Sequence, residues 1–340
     1  HIDIVDYPGE WLLDLPLMEQ SFAQWSQGAI ALARGPARIE MATEWLALLD
    51  GADGTDALDE AQAQALAAAF TDYLQACRAA GLSACAPGRF LMPGDLAGSP
   101  ALTFSPLKEG DAPRRSLARE MARRFEAYKS QVVYPFFRDH FSRIDRQVVL
   151  VDALGAIHSG PQAVGDLRDA LAEIMGCFKA GQNGWFSALR GKSVERVLFA
   201  ATKADHLHQN QHQALTHIMG ALVRSARSKA EYQGARTDAM AIASLRATTE
   251  ETRKHEGESL DLVRGRSLET GKQVAMFAGA LPDDPSVLLK PAEADQQGWL
   301  DGEYAVMGFA PAEVSIKAGD GPPHIRLDRA AEFLIGDRLG

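Results

Sequence analysis

The chain has 340 residues, of which 46% are hydrophobic and 24% are charged. This is an ordinary globular composition that can bury a large core. A formal net charge of -10 offers no broad basic surface and argues against a nucleic-acid partner. No apolar run reaches the ~18 residues of a spanning helix, and no signal peptide is recognisable. We expect a cytoplasmic protein without a transmembrane segment; peripheral membrane association stays open.

The opening residues predict a short strand that ends in an acidic turn. Residues 2–5 are mostly apolar, Asp6 follows them, and Pro8 and Gly9 make a turn. A carboxylate placed there stands at the rim where α/β sheets bind ligands. Asp6-x-x-Gly9 is also the pattern with which many GTPases hold magnesium and sense the γ-phosphate. Alone, the pattern is weak, because in most proteins such a stretch is only a turn.

A helical block follows, over residues 11–145. Apolar side chains recur at near-helical spacing, and glycine and proline separate the segments. We expect the last helix to be kinked at Pro135, because proline lacks the N–H that an α-helix needs. The predicted helices cover, approximately, residues 12–34, 36–49, 58–80 and 114–144.

Strand-like runs then alternate with helical ones. Residues 147–152, 194–201 and 239–243 are apolar, and helical patterns at about 161–179 and 211–230 lie between them. This alternation predicts βαβ units and a parallel sheet, with residues 2–6 as a fourth strand.

The C-terminal part of the sequence predicts a small antiparallel region that a terminal helix closes. Short β-like runs and Gly/Pro turns dominate there, and residues 326–338 form the helical pattern. The β-like runs are residues 260–263, 273–277, 304–307 and 314–316.

Three motifs follow the predicted strands in a fixed order. They are Asp6-x-x-Gly9, Thr202-Lys203-Ala204-Asp205 and Ser244-Leu245-Arg246. The Asp205 carboxylate can accept from both N1–H and N2–H of guanine, which adenine does not offer, while the Lys203 stem packs over the ring. Thr-Lys-x-Asp is commonly only a helix N-cap. Three such motifs in order favour a guanine-nucleotide site.

On these residues the chain resembles the YcjX-like family of P-loop NTPases, bacterial stress-associated proteins regarded as GTP-binding. The opening and closing stretches carry the most specific part of a resemblance that covers nearly the whole chain. It implies a Ras-like core with a helical insertion after the Asp-x-x-Gly motif. The stretches are Ile4-Val5-Asp6-Tyr7-Pro8-Gly9-Glu10-Trp11-Leu12-Leu13-Asp14-Leu15-Pro16-Leu17, Val197-Leu198-Phe199-Ala200-Ala201-Thr202-Lys203-Ala204-Asp205-His206, Ala243-Ser244-Leu245-Arg246-Ala247-Thr248 and Pro323-His324-Ile325-Arg326-Leu327-Asp328-Arg329-Ala330.

The resemblance implies roles on the phosphate side of GTP or GDP. Asp6 would hold Mg²⁺ through water, and Gly9 would offer its N–H to the γ-phosphate. Glu10 stands where Ras-like enzymes keep a water-orienting glutamine. Its carboxylate could position or deprotonate that water, but its charge repels phosphate. Asp152 either faces the phosphates or caps the following helix.

The resemblance also implies roles on the base side. Asp205 and Lys203 would select guanine, and residues 244–246 would close over the base, with Ser244, Leu245 and Arg246 as the contacts. Thr202 stands where an asparagine is usual, which puts one supporting hydrogen bond in doubt and leaves ATP as an alternative ligand.

The family's phosphate-binding loop is missing from these residues. No G-x-x-x-x-G-K-[ST] occurs, and the family places it before the segment where this chain begins. Gly191-Lys192-Ser193 is a decoy, because Phe186 replaces the first glycine and a strand follows it. We therefore expect a fragment or a shortened homologue that binds GTP weakly and turns over little.

The domain prediction assigns residues 1–10 and 146–258 to a nucleotide-binding core, 11–145 to a helical insertion and 259–340 to a C-terminal appendage. The predicted function is GTP binding and hydrolysis as a slow stress-related switch, with a protein partner engaged through the insertion or the C-terminal region. The alternative is a non-catalytic interaction module with a vestigial nucleotide site.

The histidines after Asp205 favour a solvated helix start over a metal site.

Overall fold

A computed structural model describes residues 2–108, 112–177, 194–232, 234–255, 257–294, 306–311 and 321–339. The decoy Gly191-Lys192-Ser193 and the predicted strand at 314–316 lie outside these residues. The chain divides into two compact units, one of residues 1–144 and 173–192 and the other of residues 145–172 and 193–340. The domain division predicted from the sequence stays a prediction.

The first unit is helical. Side chains at the helix starts satisfy free amides: Ser21 and Gln24 form a capping box at α1, and the Asp59 carboxylate accepts from Ala61 N–H at α3. The α-helices are α1 (Phe22–Ala33), α2 (Thr43–Asp50), α3 (Glu60–Ala79), α4 (Gly88–Leu91), α5 (Leu117–Tyr128) and α6 (Tyr134–Asp139). 3₁₀ segments cover Gly9–Glu19, Gly94–Leu96, Pro100–Leu102 and Phe141–Arg143.

A π-helical turn, Lys129–Val133, separates α5 from α6. Pro135 lies in the first turn of α6, where its missing N–H removes no bond that the helix needs. The long kinked helix predicted over 114–144 is therefore two shorter α-helices joined by a π turn, a common way to absorb such an interruption.

Aromatic rings fill the core of the first unit. Trp25 stacks on Phe125 at a centroid distance of 4.8 Å, and Trp45 stacks on Tyr73 at 5.2 Å. The buried Trp45 indole N–H donates to Ser105 Oγ at 2.9 Å, so this polar atom is not left unsatisfied. The aromatic residues of the helical block thus serve packing.

The predicted strand over residues 2–6 is wrong. Residues 2–8 form no regular element and join no described ladder. Ile2, Ile4 and Val5 are 54%, 89% and 47% exposed. A single extended segment without a neighbouring strand or a buried face gains too little to offset its lost chain entropy.

The second unit contains a parallel sheet of three strands, in the order β1 (Arg146–Val151), β2 (Arg196–Ala201) and β3 (Arg236–Ala241). β2 is central, and its last five residues are buried. Helix α9 packs against β2 and β3, and α12 packs against β2. The helices that follow β1 in the chain are α7 (Ala153–Ser159), α8 (Pro161–Gly176), α9 (His212–Leu222), α10 (Arg224–Tyr232), α11 (Ser286–Ala294) and α12 (Leu327–Ile335). The end of α8, from residue 173 onward, is assigned to the first unit.

An antiparallel sheet completes the second unit. Its path is β4 (Thr248–His255), β5 (Glu258–Ser267) and β6 (Gln273–Met276), and β7 (Phe309–Ala310) pairs with β5. The sequence analysis missed β4, because its residues are almost all polar and show no apolar alternation. The α/β class, with a parallel sheet, many helices and a small antiparallel region, is confirmed. None of the described helices is both long and apolar enough to cross a membrane.

Candidate functional site

The carboxyl ends of the three parallel strands are tied together by backbone hydrogen bonds. Thr202 N–H donates to the Val151 carbonyl at 3.0 Å, and Ile242 N–H donates to the Ala201 carbonyl at 2.8 Å. Ala204 N–H then donates to the Ile242 carbonyl at 3.0 Å. The loop after β2 is therefore held against both neighbouring strands, at the edge where parallel sheets bind ligands.

Lys203 takes the left-handed backbone conformation, with φ 60°. This conformation is unusual for a residue with a Cβ and marks a constrained turn. The Lys203 ammonium lies 2.5 Å from Asp152 Oδ2, and the two side chains are 43% and 44% exposed. Asp152 also accepts from Gly155 N–H at 2.9 Å. Asp152 thus caps α7, as one of the two predicted readings had it, and also holds Lys203.

Asp205 is buried, with 4% of its surface exposed. Its Oδ2 accepts from Ala247 N–H at 2.7 Å, and its carbonyl accepts from the Thr248 hydroxyl. Oδ1 has no hydrogen-bond partner within the described part of the chain. The carboxylate is therefore fixed at one oxygen and available at the other.

The segment that follows β3 presents side chains of two kinds. Ser244 and Leu245 are exposed. The Arg246 guanidinium is already engaged, because Nε donates to the Thr248 carbonyl at 3.0 Å and Nη2 pairs with Glu250 Oε1 at 2.8 Å. Arg246 is also held through its backbone, where N–H donates to the Pro323 carbonyl at 2.7 Å.

The histidines after Asp205 differ in exposure from the sequence prediction. Among the described residues, none of them belongs to a group of three or more His, Cys, Asp or Glu side chains that could hold an ion. His206 and His212 are buried, at 8% and 4% exposure, so the prediction of a solvated helix start is wrong for both. Burial lowers the pKa of each imidazole, because it disfavours the charged form.

The predicted phosphate-side residues belong to the first unit. Asp6 is exposed and has no hydrogen bond or ion pair with any described residue. Gly9 begins the 3₁₀ segment Gly9–Glu19. The Glu10 carboxylate forms an ion pair with Arg78, with side-chain exposures of 22% and 47%. Glu10 is thus engaged by a cation 68 residues away in the sequence.

Helix α4 holds the start of this segment. A Cβ built on Gly88 would lie 1.7 Å from the Glu10 carbonyl oxygen, so only glycine permits the approach. The Trp11 indole N–H donates to the Met92 carbonyl at 2.9 Å, and the Arg89 guanidinium lies 3.2 Å from the Trp11 ring centroid. The chain just after Gly9 is therefore anchored tightly.

Asp14 continues this anchor from inside the unit. Its carboxylate is 2% exposed and accepts from Gly88 N–H at 2.8 Å and from the Tyr128 hydroxyl at 2.7 Å. Burial raises the pKa of Asp14 to about 7, against the two hydrogen bonds and the charge of Arg89, which lower it. A buried acid thus links three segments of the first unit.

The structure brings Thr202, Lys203 and Asp205 together with residues 244–246 at one edge of the second unit. Asp6, Gly9 and Glu10 lie in the first unit. Sequence reasoning missed the pairs Lys203 with Asp152 and Asp205 with Ala247. The sequence offers a sign of the first pair, because an acidic residue follows β1 directly. The second pair uses a backbone N–H, which every residue except proline has, so the residue type does not predict it.

The chain matches the sequence profile of the YcjX-like family, DUF463, over residues 1–339. It belongs to the YcjX-like family. The resemblance drawn from the opening, central and closing stretches is thereby confirmed.

Two curated relatives are named Ras-like GTPase YcjX. The protein from Escherichia coli (strain K12) is 39% identical over 349 aligned residues, which cover 100% of this chain and 72% of that protein. The protein from Shewanella oneidensis (strain MR-1) is 31% identical over 357 aligned residues, covering 100% of this chain and 70% of that protein.

Proposed function

We propose that this chain binds guanine nucleotides at the carboxyl edge of its parallel sheet and serves GTP hydrolysis. The observation that carries the proposal is the fixed carboxylate of Asp205, bonded at 2.7 Å to Ala247 N–H in the segment after β3. Two motifs that sequence reasoning assigns to guanine recognition thus share one hydrogen-bonded edge. The names of the two relatives, Ras-like GTPase, support the same reading.

Base recognition would rest on complementary hydrogen bonding. Asp205 Oδ1 is free to accept from the guanine N1–H or N2–H, and Oδ2 is held in place by Ala247. The stem of Lys203, fixed at its end by Asp152, would cover the face of the ring. Ser244 and Leu245 are exposed beside this edge and would contact the base.

The phosphate side would use Asp6, Gly9 and Glu10. Mg²⁺ is commonly bound through one or two carboxylates, waters and substrate phosphates. The single exposed carboxylate of Asp6 fits such a role; bound Mg²⁺ would neutralise charge on the phosphates. Gly9 N–H would meet the γ-phosphate. Glu10 would have to leave Arg78 before it could orient the attacking water.

We propose further that the protein is a slow switch with a stress-related role and a protein partner on its helical or C-terminal region. The 340 residues alone should bind GTP weakly, since they contain no G-x-x-x-x-G-K-[ST] whose amides and lysine could cradle the phosphates.

One observation favours a second candidate, a non-catalytic interaction module: the Glu10 carboxylate is occupied by Arg78. An ATP-preferring protein is a third candidate, because Thr202 replaces the usual asparagine.

Competition binding separates the three candidates. Fluorescent GDP is titrated into the protein and displaced with GDP or ADP, with and without Mg²⁺. A hydrogen bond from guanine to the charged Asp205 carboxylate, which adenine does not offer, should favour GDP by about tenfold or more. Equal displacement by ADP would contradict guanine selection, and no binding at millimolar nucleotide would favour the module.

A further inference from the structure

An arginine-lined cavity of about 690 Å³ lies in the second unit, along β3. Its walls come from the start of β2, from most of β3, from α9 and from α12 with the residue before it. This is the size range of small-molecule sites, about 300–1,000 Å³. Its charged lining residues are Arg196, Arg236, Arg326, Arg329, Asp238 and Glu332.

None of the residues assigned to the candidate nucleotide site lines the cavity. Arg196 and Arg236 are the first residues of their strands, whereas Thr202 and Asp205 follow the other end of β2; Arg326 extends the lining to the last residue of β3. A strand rises about 3.3 Å per residue, so six residues separate the two ends by roughly 17 Å.

The positive charge of this cavity is largely uncompensated. Neither the Arg236 nor the Arg329 guanidinium has a carboxylate or hydrogen-bond partner anywhere in the described ranges. Among the described residues, the Arg326 guanidinium donates only to the Ala241 carbonyl, at 3.2 Å. Burial, and next the charge of Arg329, lower the pKa of Arg326, so these two guanidinium groups repel each other. Arginines without a carboxylate partner that line one cavity form a candidate anion-binding site. This local positive charge contrasts with the net charge of -10 of the whole chain.

The two acidic residues of the wall do not neutralise the arginines. Asp238 Oδ1 accepts from Ala239 N–H at 2.8 Å, and neither Asp238 nor Glu332 forms an ion pair with a described arginine. Four arginines and two acidic residues line the cavity; among the described residues only Arg196 of these four forms an ion pair, with Asp337 outside the cavity lining.

The open edge of β3 is already capped, which excludes an extended peptide as the occupant. Ala239 N–H is taken by Asp238, and Ala241 N–H donates to Thr216 Oγ1 at 3.1 Å. The Ala241 carbonyl accepts from Arg326. A further strand would need these backbone groups free. The occupant that remains is a small anion.

Arg326 is held in place by its backbone. Its φ is +54°, the left-handed region, and the neighbouring Ile325 exchanges two hydrogen bonds with Ala243, at 2.8 and 3.1 Å. Such a constrained conformation persists only where the surroundings enforce it. The backbone is thus fixed, and the hydrogen bond from the guanidinium to the Ala241 carbonyl holds the side chain at the wall, which reduces the entropy lost on binding.

We propose that this cavity binds a small organic molecule that carries one or two phosphate groups. Guanidinium forks match phosphate oxygens bidentately, and several arginines suit more than one negative charge. Phe333 and Met240 give an apolar wall for the organic part, and Gln213 and Thr216 supply polar contacts. The site does not depend on the proposed guanine-nucleotide function.

Isothermal titration with pyrophosphate at low salt tests the proposal on the 340-residue protein. Pyrophosphate should bind, and R236A and R329A should each weaken it about tenfold. Arg329→Lys keeps the charge but not the fork and should lie between wild type and R329A. R224A is the matched control: Arg224 is an exposed arginine outside the cavity that forms no ion pair with a described residue, so its substitution should leave the affinity unchanged.

Three results would overturn the proposal. The first is unchanged affinity in both R236A and R329A, and the second is an equal loss in R224A, which would indicate a general charge effect. The third is tighter binding of citrate than of pyrophosphate, which would exclude phosphate as the preferred group. Arg236 and Arg329 are exposed, so a thermal unfolding midpoint at the wild-type value should confirm that the variants fold.

Discussion

The base-side edge of the second unit and the opening segment of the first unit are built differently. Asp205 is 4% exposed and fixed by a 2.7 Å bond to Ala247, whereas Asp6 is exposed and bonded to no described residue. Both follow the same sequence logic, an acidic residue after an apolar run. The difference teaches that a motif becomes a formed site only where a buried strand and a hydrogen-bonded loop fix it.

The segment just after Asp6 adds a second contrast, because it is anchored from Glu10 onward while Asp6 itself is not. Gly88, Asp14 and Arg78 provide that anchor. Substitutions at Gly88, Asp14 or Arg78 therefore test the anchor of the opening segment alone. Substitutions at Lys203 or Asp205 test the base-side edge of the second unit alone.

The largest effect is expected from the buried acid of the anchor. The pKa of Asp14 is about 7 in the folded protein and about 3.9 unfolded. The folded state thus holds the proton more strongly. The contribution of Asp14 to the free energy of unfolding is fully present below about pH 4. It is lost as the pH rises through 7, by up to about 4 kcal/mol. Urea unfolding of the first unit at pH 5 and pH 8 measures this slope. Asp14→Asn should flatten it; an equal slope in that variant would contradict the assignment.

A slightly smaller effect is expected at Gly88. An alanine there would collide with the Glu10 carbonyl and should destabilise the first unit by about 3 kcal/mol. The matched control is Gly28→Ala, inside α1 with nothing within 4 Å of the added Cβ, which should stabilise by about 0.5–1 kcal/mol. Urea unfolding followed by tryptophan fluorescence compares them, and similar midpoints for the two variants would break the account of the anchor.

Lys203 tests what the base edge needs from its lysine. Its pair with Asp152 is partly exposed, so Lys203→Met should cost at most about 1 kcal/mol of stability. If the stem covers the base, this variant should hold fluorescent GDP nearly as well as wild type, while Lys203→Ala should bind about tenfold more weakly. Equal losses in both variants would instead assign the contribution to the ammonium.

The smallest effect is expected from Arg78→Ala. The ion pair with Glu10 lies near the surface and contributes about 0–1 kcal/mol to stability. Freeing Glu10 should raise GTP turnover by about threefold if this carboxylate orients water. The matched control is Arg34→Ala, which breaks the exposed pair with Asp50 in the same unit and should leave turnover unchanged.

Much of the second unit follows from the sequence. Three largely apolar runs predicted β1, β2 and β3, and the polar residues after them fall at one sheet edge. The central strand β2 is buried, as a continuous apolar run predicts, whereas Val148 and Leu150 of β1 are 38% and 65% exposed. β4 could not be predicted in the same way. Its residues are polar, and its ladder with β5 exists only once the hairpin pairs.

The rest depends on contacts between distant residues. The apolar side chains of residues 2–5 predict a strand. In the structure no described strand pairs with them, and a local apolar pattern carries no information about pairing. The pairs Glu10 with Arg78 and Asp205 with Ala247 join residues 68 and 42 positions apart. Charge and residue type allow many such pairs, and only the fold selects one.

The most direct test of the central claim is nucleotide selectivity after Asp205→Asn. The asparagine keeps one oxygen for Ala247 N–H but offers an amide donor where guanine needs an acceptor, and xanthine, with a carbonyl at position 2, accepts from such a donor. Affinities for GDP and xanthosine diphosphate are measured for wild type, Asp205→Asn and the exposed control Asp328→Asn.

We predict that Asp205→Asn weakens GDP binding by about 10- to 100-fold and reverses the preference in favour of xanthosine diphosphate, while Asp328→Asn behaves as wild type. An unchanged preference in Asp205→Asn would contradict guanine recognition at this carboxylate.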